Sequence, residues 1–244
     1  MRTTAPGPPG RRDVRAWTER TERILDRAAE SVLAAGYPGT TIEAVARAAG
    51  VAKGTIYLHF PSRDALFAAV LRRERLALIS AVATDRAADT PQGVVGASVR
   101  ALQRRPLLAA VLRRDAEVLG RLAHAEPVPD MPGTARGFAA YLGELRAAGL
   151  VRTDLPAGEL VAAVAAVLIG FLTTGALLPD PVAPDRLPDL VADTVARTLD
   201  RGAAPTSADA TRTARITTAY LDAAVEQATA AYRLAAGIAQ EERA

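Results

Sequence analysis

Apolar residues recur through this chain at the three- and four-residue spacing of amphipathic helices. Near the start, this spacing predicts a first helix over 16–35, two short helices within 40–60, and a fourth from Arg63 to about Ala83. Later helices are predicted over 91–104, 106–123, 133–149, 157–178, 187–201 and, from a cap at Ser207 or Asp209, to about Ala236. No segment alternates with the two-residue period of a half-buried strand, so the pattern predicts an all-α fold.

The two short helices are joined by a glycine. Thr40 followed by Glu43 forms a capping box, which predicts the start of the first helix. Gly50 predicts its end, because glycine adopts a left-handed conformation without steric cost. Lys53 opens the second helix. This spacing is typical of a helix-turn-helix, whose second helix lies in the DNA major groove, and a helical hairpin within a bundle is the alternative.

The residues of this hairpin distinguish these alternatives. The run Thr-Ile-Glu-Ala-Val-Ala-Arg-Ala-Ala-Gly-Val-Ala-Lys-Gly-Thr-Ile-Tyr-Leu-His-Phe-Pro-Ser-Arg-Asp-Ala-Leu, from Thr41 to Leu66, resembles the N-terminal domain of TetR-type transcriptional regulators. The resemblance is close over about 20–70, and beyond that only the helical layout is similar. It implies a regulator, usually a repressor, with a body that encloses a small-molecule effector. As a homodimer it would read two half-sites, so the double-stranded DNA operator is expected to be an approximate palindrome.

The resemblance also implies particular DNA contacts. Lys53 and Thr55, at the N-terminal end of the second helix, are expected to read base edges, and Gly54 to let the backbone approach the DNA closely. Phosphate contacts are expected from the side chains of Thr41, Arg47, Tyr57, His59 and Arg63. The alternatives are half-buried packing for Tyr57, a helix C-terminal cation for His59 and a solvated surface position for Arg47.

Charge and composition narrow the function classes. Residues 1–72 hold ten arginines and one lysine against seven acidic residues, a net charge of +4, whereas residues 73–244 carry −1. A basic N-terminal part is suited to a polyanion partner. The absence of cysteine excludes disulfides and thiol catalysis, and His59 and His124 lie far apart, without a P-loop or nucleophile elbow. We therefore expect no enzyme, no metal site and no cofactor.

These observations divide the chain into four parts. They are a disordered arm over 1–15, a DNA-binding head over 16–72, an effector-binding and dimerisation body over 73–202, and a helical C-terminal extension over 203–244. No signal peptide is visible, so a cytoplasmic protein is expected. The extension has a wide apolar surface, which is expected to pack on the body or across a dimer, and a frayed tail is the alternative.

Residues 160–178 form a run of nineteen residues without a charge. This length meets that of a membrane span. Acidic flanks at Glu159 and Asp180, and the lack of a basic flank or aromatic belt, argue against one. A helix that is apolar all round is otherwise buried on all sides. We therefore expect this helix, with the one over 187–201, to form the dimer interface, as the last two body helices do in TetR-like proteins.

The middle helices of the body supply candidates for an effector pocket. They are Leu112, Leu119, His124, Phe138, Tyr141, Phe171 and Thr174. Because few of them are polar, the expected effector is apolar or amphipathic. The alternative is a helical DNA-binding or adaptor protein that has no small-molecule effector.

Overall fold

A computed structural model of the protein describes residues 11–113, 115–119, 131–175 and 179–238. Within these ranges the chain forms helices and contains no strand, as the sequence pattern predicts. The elements are α1 (Arg11–Gly39), α2 (Ile42–Ala49), α3 (Lys53–His59), α4 (Arg63–Ala83), α5 (Pro91–Gln103), α6 (Pro106–Arg113), α7 (Ala116–Leu119), α8 (Met131–Ala147), α9 (Ala157–Thr174), α10 (Leu187–Leu199) and α11 (Ser207–Ala235).

The first helix starts earlier than the sequence pattern predicts. α1 begins at Arg11, so residues 11–15 are helical rather than part of a disordered arm, and residues 1–10 lie outside the described ranges. The expected break at Gly36 is confirmed, because this residue is non-helical with φ 68°. The continuous helix expected over 106–123 is divided into α6 and α7, and residues 120–123 lie outside the described ranges.

The start of α2 corrects the expected cap by one residue. The side chain of Thr41 accepts the N–H of Ala44 at 3.1 Å, so Thr41 is the N-cap. Thr40 is buried instead, and its hydroxyl donates to the carbonyl oxygen of Gly36 at 2.8 Å. Gly50 ends α2 in the left-handed conformation, as expected. Two adjacent threonines offer the same capping chemistry, and only the folded backbone decides which of them caps α2.

The core of the head continues into the rest of the molecule. Its buried side chains come from α1, α2, α3 and the first turns of α4. The same cluster includes Leu107 of α6, Leu119 of α7 and Tyr232 near the end of α11. The head is therefore packed directly against both the body and the C-terminal extension.

A second core cluster lies in the body, between α5, α8, α9 and α10. α9 buries Leu160 and Val164 there, whereas Ile169 is 49% exposed. Among the described residues, α9 is the one helix long and apolar enough to cross a membrane by length and composition. The expected burial on all sides is therefore not reached within the chain.

The C-terminal extension is an ordered helix over the described residues, and the frayed tail is wrong for α11. Thr206, rather than Ser207 or Asp209, caps the helix in a capping box with Asp209. The N–H of Thr206 and the guanidinium of Arg201 donate to the Asp209 carboxylate and lower its pKa to about 2. α11 packs along α4 and α8, on the body of its own protomer.

Candidate nucleic-acid interface and internal cavity

One face of α3 is held in the head and the opposite face is open to solvent. Ile56 and Phe60 are fully buried, and the N–H of Val51 donates to the carbonyl oxygen of Ala46 at 3.0 Å across the turn after α2. These contacts fix α3 against α2 in a helix-turn-helix arrangement. The open face is therefore presented by a rigid support, as a major-groove reading helix requires.

The open face carries most of the residues expected to read DNA. Lys53, Gly54 and Tyr57 are exposed, and Thr55 is half-buried. The ammonium of Lys53 forms an ion pair with the carboxylate of Glu43 on α2. This hydrogen bond raises the pKa of Lys53 and lowers the pKa of Glu43, so both groups are charged at neutral pH. The open face thus presents a cation beside small and aromatic side chains.

Leu58 is a further candidate, to which the sequence pattern assigned no role. Its side chain is 77% exposed, the most exposed of the large hydrophobic side chains in the described ranges. It lies on α3 next to Tyr57. An exposed leucine within a helix is not explained by packing, and apolar contact with a thymine methyl is a known form of base readout. The sequence does contain a signal for this residue, because Leu58 is apolar but does not lie on the face of α3 that carries Ile56.

The expected phosphate contacts on α2 lie at the surface. Thr41 is exposed, and although its hydroxyl oxygen accepts the N–H of Ala44, its O–H remains able to donate. Arg47 is exposed in the last turn of α2. Both side chains therefore keep the accessibility that a phosphate contact needs.

Arg63 has a structural role that the sequence did not predict. Its guanidinium donates to the carbonyl oxygen of Thr40 at 3.2 Å and lies 4.2 Å from the ring centroid of Tyr37. The hydroxyl of Tyr37 in turn donates to Asp64. Arg63 thereby braces the junction between α1 and α2, and it is only partly exposed.

His59 differs most from expectation. It is 6% exposed, its Nδ1 lies 2.9 Å from the hydroxyl of Thr21, and its ring stacks on Trp17 with centroids 3.7 Å apart. Burial, with a smaller effect of Arg20, lowers the pKa of His59 to about 4. The side chain is therefore neutral at pH 7 and faces α1. In this conformation it acts neither as a phosphate contact nor as a helix C-terminal cation.

A cavity of about 580 Å³ lies between α4, α5, α8 and α11. Tyr141 and Tyr220 stack in its wall with ring centroids 4.5 Å apart. The hydroxyl of Tyr141 lies 2.8 Å from that of Thr217, and burial raises the pKa of Tyr141. The apolar lining includes Leu78, Ile79, Val82, Val94 and Leu221, and the polar lining includes Arg75, Ser98, Thr134, Glu144 and Gln227.

Of the candidate pocket residues, Tyr141 lines this cavity and Phe138 packs nearby, 6.2 Å from Tyr220 between ring centroids. Leu119 instead belongs to the core of the head, and Phe171 packs on the second core cluster.

Three further candidates do not contribute to the cavity lining that the structure describes. Leu112 is half-buried in α6, and Thr174 is exposed at the end of α9. His124 lies outside the described residues. The sequence also missed the wall supplied by α11, because the extension has no counterpart in the family pattern that guided the choice of residues.

The fold and the open face of α3 define a helix-turn-helix DNA-binding regulator. The family model described as "Bacterial regulatory proteins, tetR family" matches residues 24–70. The HTH-type transcriptional repressor Rv1474c of Mycobacterium tuberculosis is 32% identical over 189 residues, which cover 73% of this chain and 94% of that repressor. The chain belongs to the TetR family of DNA-binding transcriptional regulators.

Two further comparisons agree with this assignment. The HTH-type transcriptional repressor KstR of Mycolicibacterium smegmatis is 39% identical over 127 residues, 47% of this chain, and the match spans 61% of KstR, less than two thirds of its length. The crystal structure of a TetR-family regulator from Rhodococcus sp. superposes with a TM-score of 0.59 at 19% identity, over 75% of this chain and all of that one. The structural match shows a shared fold.

Proposed function

We propose that this regulator is a repressor that binds an approximately palindromic operator as a homodimer in the cytoplasm, and that a small amphipathic effector bound in the cavity releases it. The observation that carries the proposal is the open face of α3. It presents Lys53, Gly54, Tyr57 and Leu58 to solvent, while the buried face fixes the helix in the head.

Base reading is assigned to the open face of α3. Lys53 can donate to guanine acceptors, Thr55 can bond a base edge, and Leu58 can meet a thymine methyl. Phosphate contacts are assigned to Thr41, Arg47 and Tyr57, which fix the register of the head on the duplex. His59 and Arg63 hold the supporting helices, so their contribution to affinity is indirect.

Dimerisation is assigned to α9 and α10. Ile169 on α9 and Leu190 on α10 are exposed in the single protomer, and the two helices pack against each other. A partner protomer would cover these apolar side chains, which supports a protein–protein contact. Two heads held by this contact would read two half-sites.

The cavity supports an effector of mixed polarity. Its volume lies within the range of small-molecule sites, about 300–1,000 Å³. Leu78, Ile79 and the stacked tyrosines can contact an apolar skeleton, while Arg75 and Gln227 can bond a polar group. Such a ligand releases DNA only if it binds the non-reading arrangement of the heads more tightly, since differential affinity alone shifts the population.

Operator binding tests the reading residues. Operator sequences are selected from a random duplex pool with the purified protein, and affinity is measured by fluorescence anisotropy. The double variant Lys53→Ala, Thr55→Ala should lose about 10²-fold or more in affinity for the selected sequence. Its melting temperature should change little, because Lys53 is exposed and Thr55 is only half-buried. Arg212→Ala, an exposed cation near the start of α11, is the control, and retained specific binding by the double variant would refute the assignment.

The cavity has its own test. Amphipathic compounds are screened by the rise in melting temperature, because a ligand that binds only the native state stabilises it. A compound found this way should lower operator affinity, and Ala224→Phe, which places a ring into the cavity wall, should remove its stabilising effect. If compounds raise the melting temperature equally in the filled variant, the ligand site lies elsewhere. If none binds, the protein acts without a small-molecule effector.

A further inference from the structure

The C-terminal end of α11 lies on the head. Tyr232, Ala236 and Ile238 are buried in the same cluster as Ile24 and Leu25 of α1. This cluster is the core of the head, which carries the reading helix α3. The extension is therefore in direct contact with the DNA-binding unit, not with the body alone.

Polar contacts reinforce this junction. The hydroxyl of Tyr232 donates to the carboxylate of Glu22 on α1. The same carboxylate accepts from Arg73 of α4 at 3.1 Å, and Arg73 also pairs with Asp26 at 2.7 Å. Burial raises the pKa of Tyr232, so its hydroxyl stays a donor at neutral pH. α1, α4 and α11 thus share one network at the base of the head.

Trp17 joins this junction to the reading helix. Its Nε1 donates to the carbonyl oxygen of Ala236 at 3.4 Å, and its ring stacks on His59, the last residue of α3. Gly237 lies against the same indole, since a Cβ there would be 3.5 Å from the ring. Trp17 therefore contacts both the end of α11 and the end of α3.

The middle of the same helix forms a wall of the cavity. The α11 residues that line the cavity lie between Ala219 and Gln227. Tyr232 lies five residues after Gln227. At 1.5 Å per residue, these two positions are about 8 Å apart along the helix axis. Since no break separates them, a displacement of the wall is carried to the Tyr232 end.

We infer that α11 couples the cavity to the reading helix, with Tyr232 and Trp17 as positioning residues. Tyr232 holds α1 through Glu22, and Trp17 on α1 holds α3 through His59. Occupation of the cavity moves α11, and the movement changes the seating of Trp17 against His59 and hence the presentation of Lys53 and Thr55. The effector part of this inference rests on the proposed function. The mechanical part does not, because a side chain added to the wall can take the place of a ligand.

A double-mutant cycle tests the coupling without a ligand. Ala224→Phe fills the cavity from α11 and should lower affinity for the selected operator by about tenfold. In the Tyr232→Phe background, the same filling should change affinity less than about twofold. Thr217→Val removes a hydroxyl contact of α11 with Tyr141, away from the head, and should leave the tenfold effect intact. Ala224→Leu replaces Ala224→Phe if the larger side chain prevents cooperative folding.

Trp17 supplies a second readout, because it is the one tryptophan in the sequence. Its emission should shift on Ala224→Phe in the otherwise natural protein, and less so with Tyr232→Phe. Equal effects of filling in both backgrounds would overturn the coupling through α11 and leave the cavity proposal standing. Failure to find any ligand would refute the effector proposal, while the cycle would still decide the coupling.

Discussion

The ammonium of Lys53 on α3 is paired with the carboxylate of Glu43 on α2, and both groups are exposed at the surface. The pair joins the two helices of the helix-turn-helix at the end where bases are to be read. Because both groups are solvated, the pair adds little to folding. In the complex proposed above, DNA would compete with Glu43 for the Lys53 ammonium.

Replacement of Glu43 should therefore strengthen DNA binding. Glu43→Gln removes a negative charge beside α3 and releases Lys53, so affinity for duplexes of any sequence should rise by about threefold or more, with the largest gain at low salt. Anisotropy titrations across a series of KCl concentrations measure this. Glu30→Gln, which removes the partner of Arg27 on α1, is the matched control. A fall in affinity for Glu43→Gln would contradict the interpretation.

Gly54→Ala should separate stability from DNA binding. In the described part of the chain, no atom beyond the adjacent residues and the backbone of α3 lies within 4 Å of a Cβ added at Gly54. Since alanine also favours a helix over glycine, stability should rise by up to about 1 kcal/mol. Operator affinity should fall at least about tenfold if the backbone approaches the DNA at this point. Gly143→Ala in α8, also free of contacts, should give the gain in stability alone. Unchanged operator affinity in Gly54→Ala would show that the backbone does not approach the DNA closely at this position.

Two glycines with positive φ should respond differently to alanine. Gly50 has φ 67° and ψ 34°, a left-handed α conformation that costs an L-residue about 1–2 kcal/mol. Gly36 has φ 68° and ψ 166°, a conformation open essentially to glycine alone. A Cβ at Gly50 meets none of the described non-neighbouring residues within 4 Å, whereas one at Gly36 lies 2.7 Å from the carbonyl oxygen of Glu117. Gly36→Ala should therefore lose about 1–3 kcal/mol more than Gly50→Ala in urea unfolding. Equal losses would contradict both the more restricted backbone of Gly36 and its contact with α7.

The buried His59 should make stability depend on pH. Its pKa of about 4 in the folded protein lies below the ordinary 6.5, so between these values the unfolded chain binds more protons. Stability therefore falls as the pH is lowered through this window. Between pH 7.5 and 4.5, the free energy of unfolding should drop by roughly 1–3 kcal/mol more in the natural protein than in His59→Gln. Parallel pH profiles for the two proteins would contradict the burial of His59.

The apolar surface of α9 and α10 should control the oligomeric state. Ile169→Asp with Leu190→Asp places charges where a partner protomer would lie, so sedimentation should change from dimer to monomer at micromolar concentration. Operator affinity should fall with it, because one head reads one half-site. Leu33→Asp, at an exposed leucine of α1, should leave the dimer intact. A dimer that survives the double substitution would place the interface elsewhere.

Much of the fold was accessible from the sequence because its signals are local. Proline and glycine positions, caps and helical spacing predicted α4, α5 and α10 to within about two residues. The candidate DNA contacts Lys53, Gly54 and Tyr57 lie on the open face of α3 for the same reason. Their exposure follows from the period of one helix whose opposite face is apolar.

The sequence by itself therefore determined the helix-turn-helix, the order of helices and the face that α3 exposes. Tertiary structure alone decided that His59 turns toward Trp17 and Thr21, since these residues lie on another helix. It also decided that α11 walls the cavity and reaches Glu22, 210 residues before Tyr232. The physical reason is range: helical periodicity shows which face of a helix is apolar, but which distant element covers it depends on how all the helices pack together.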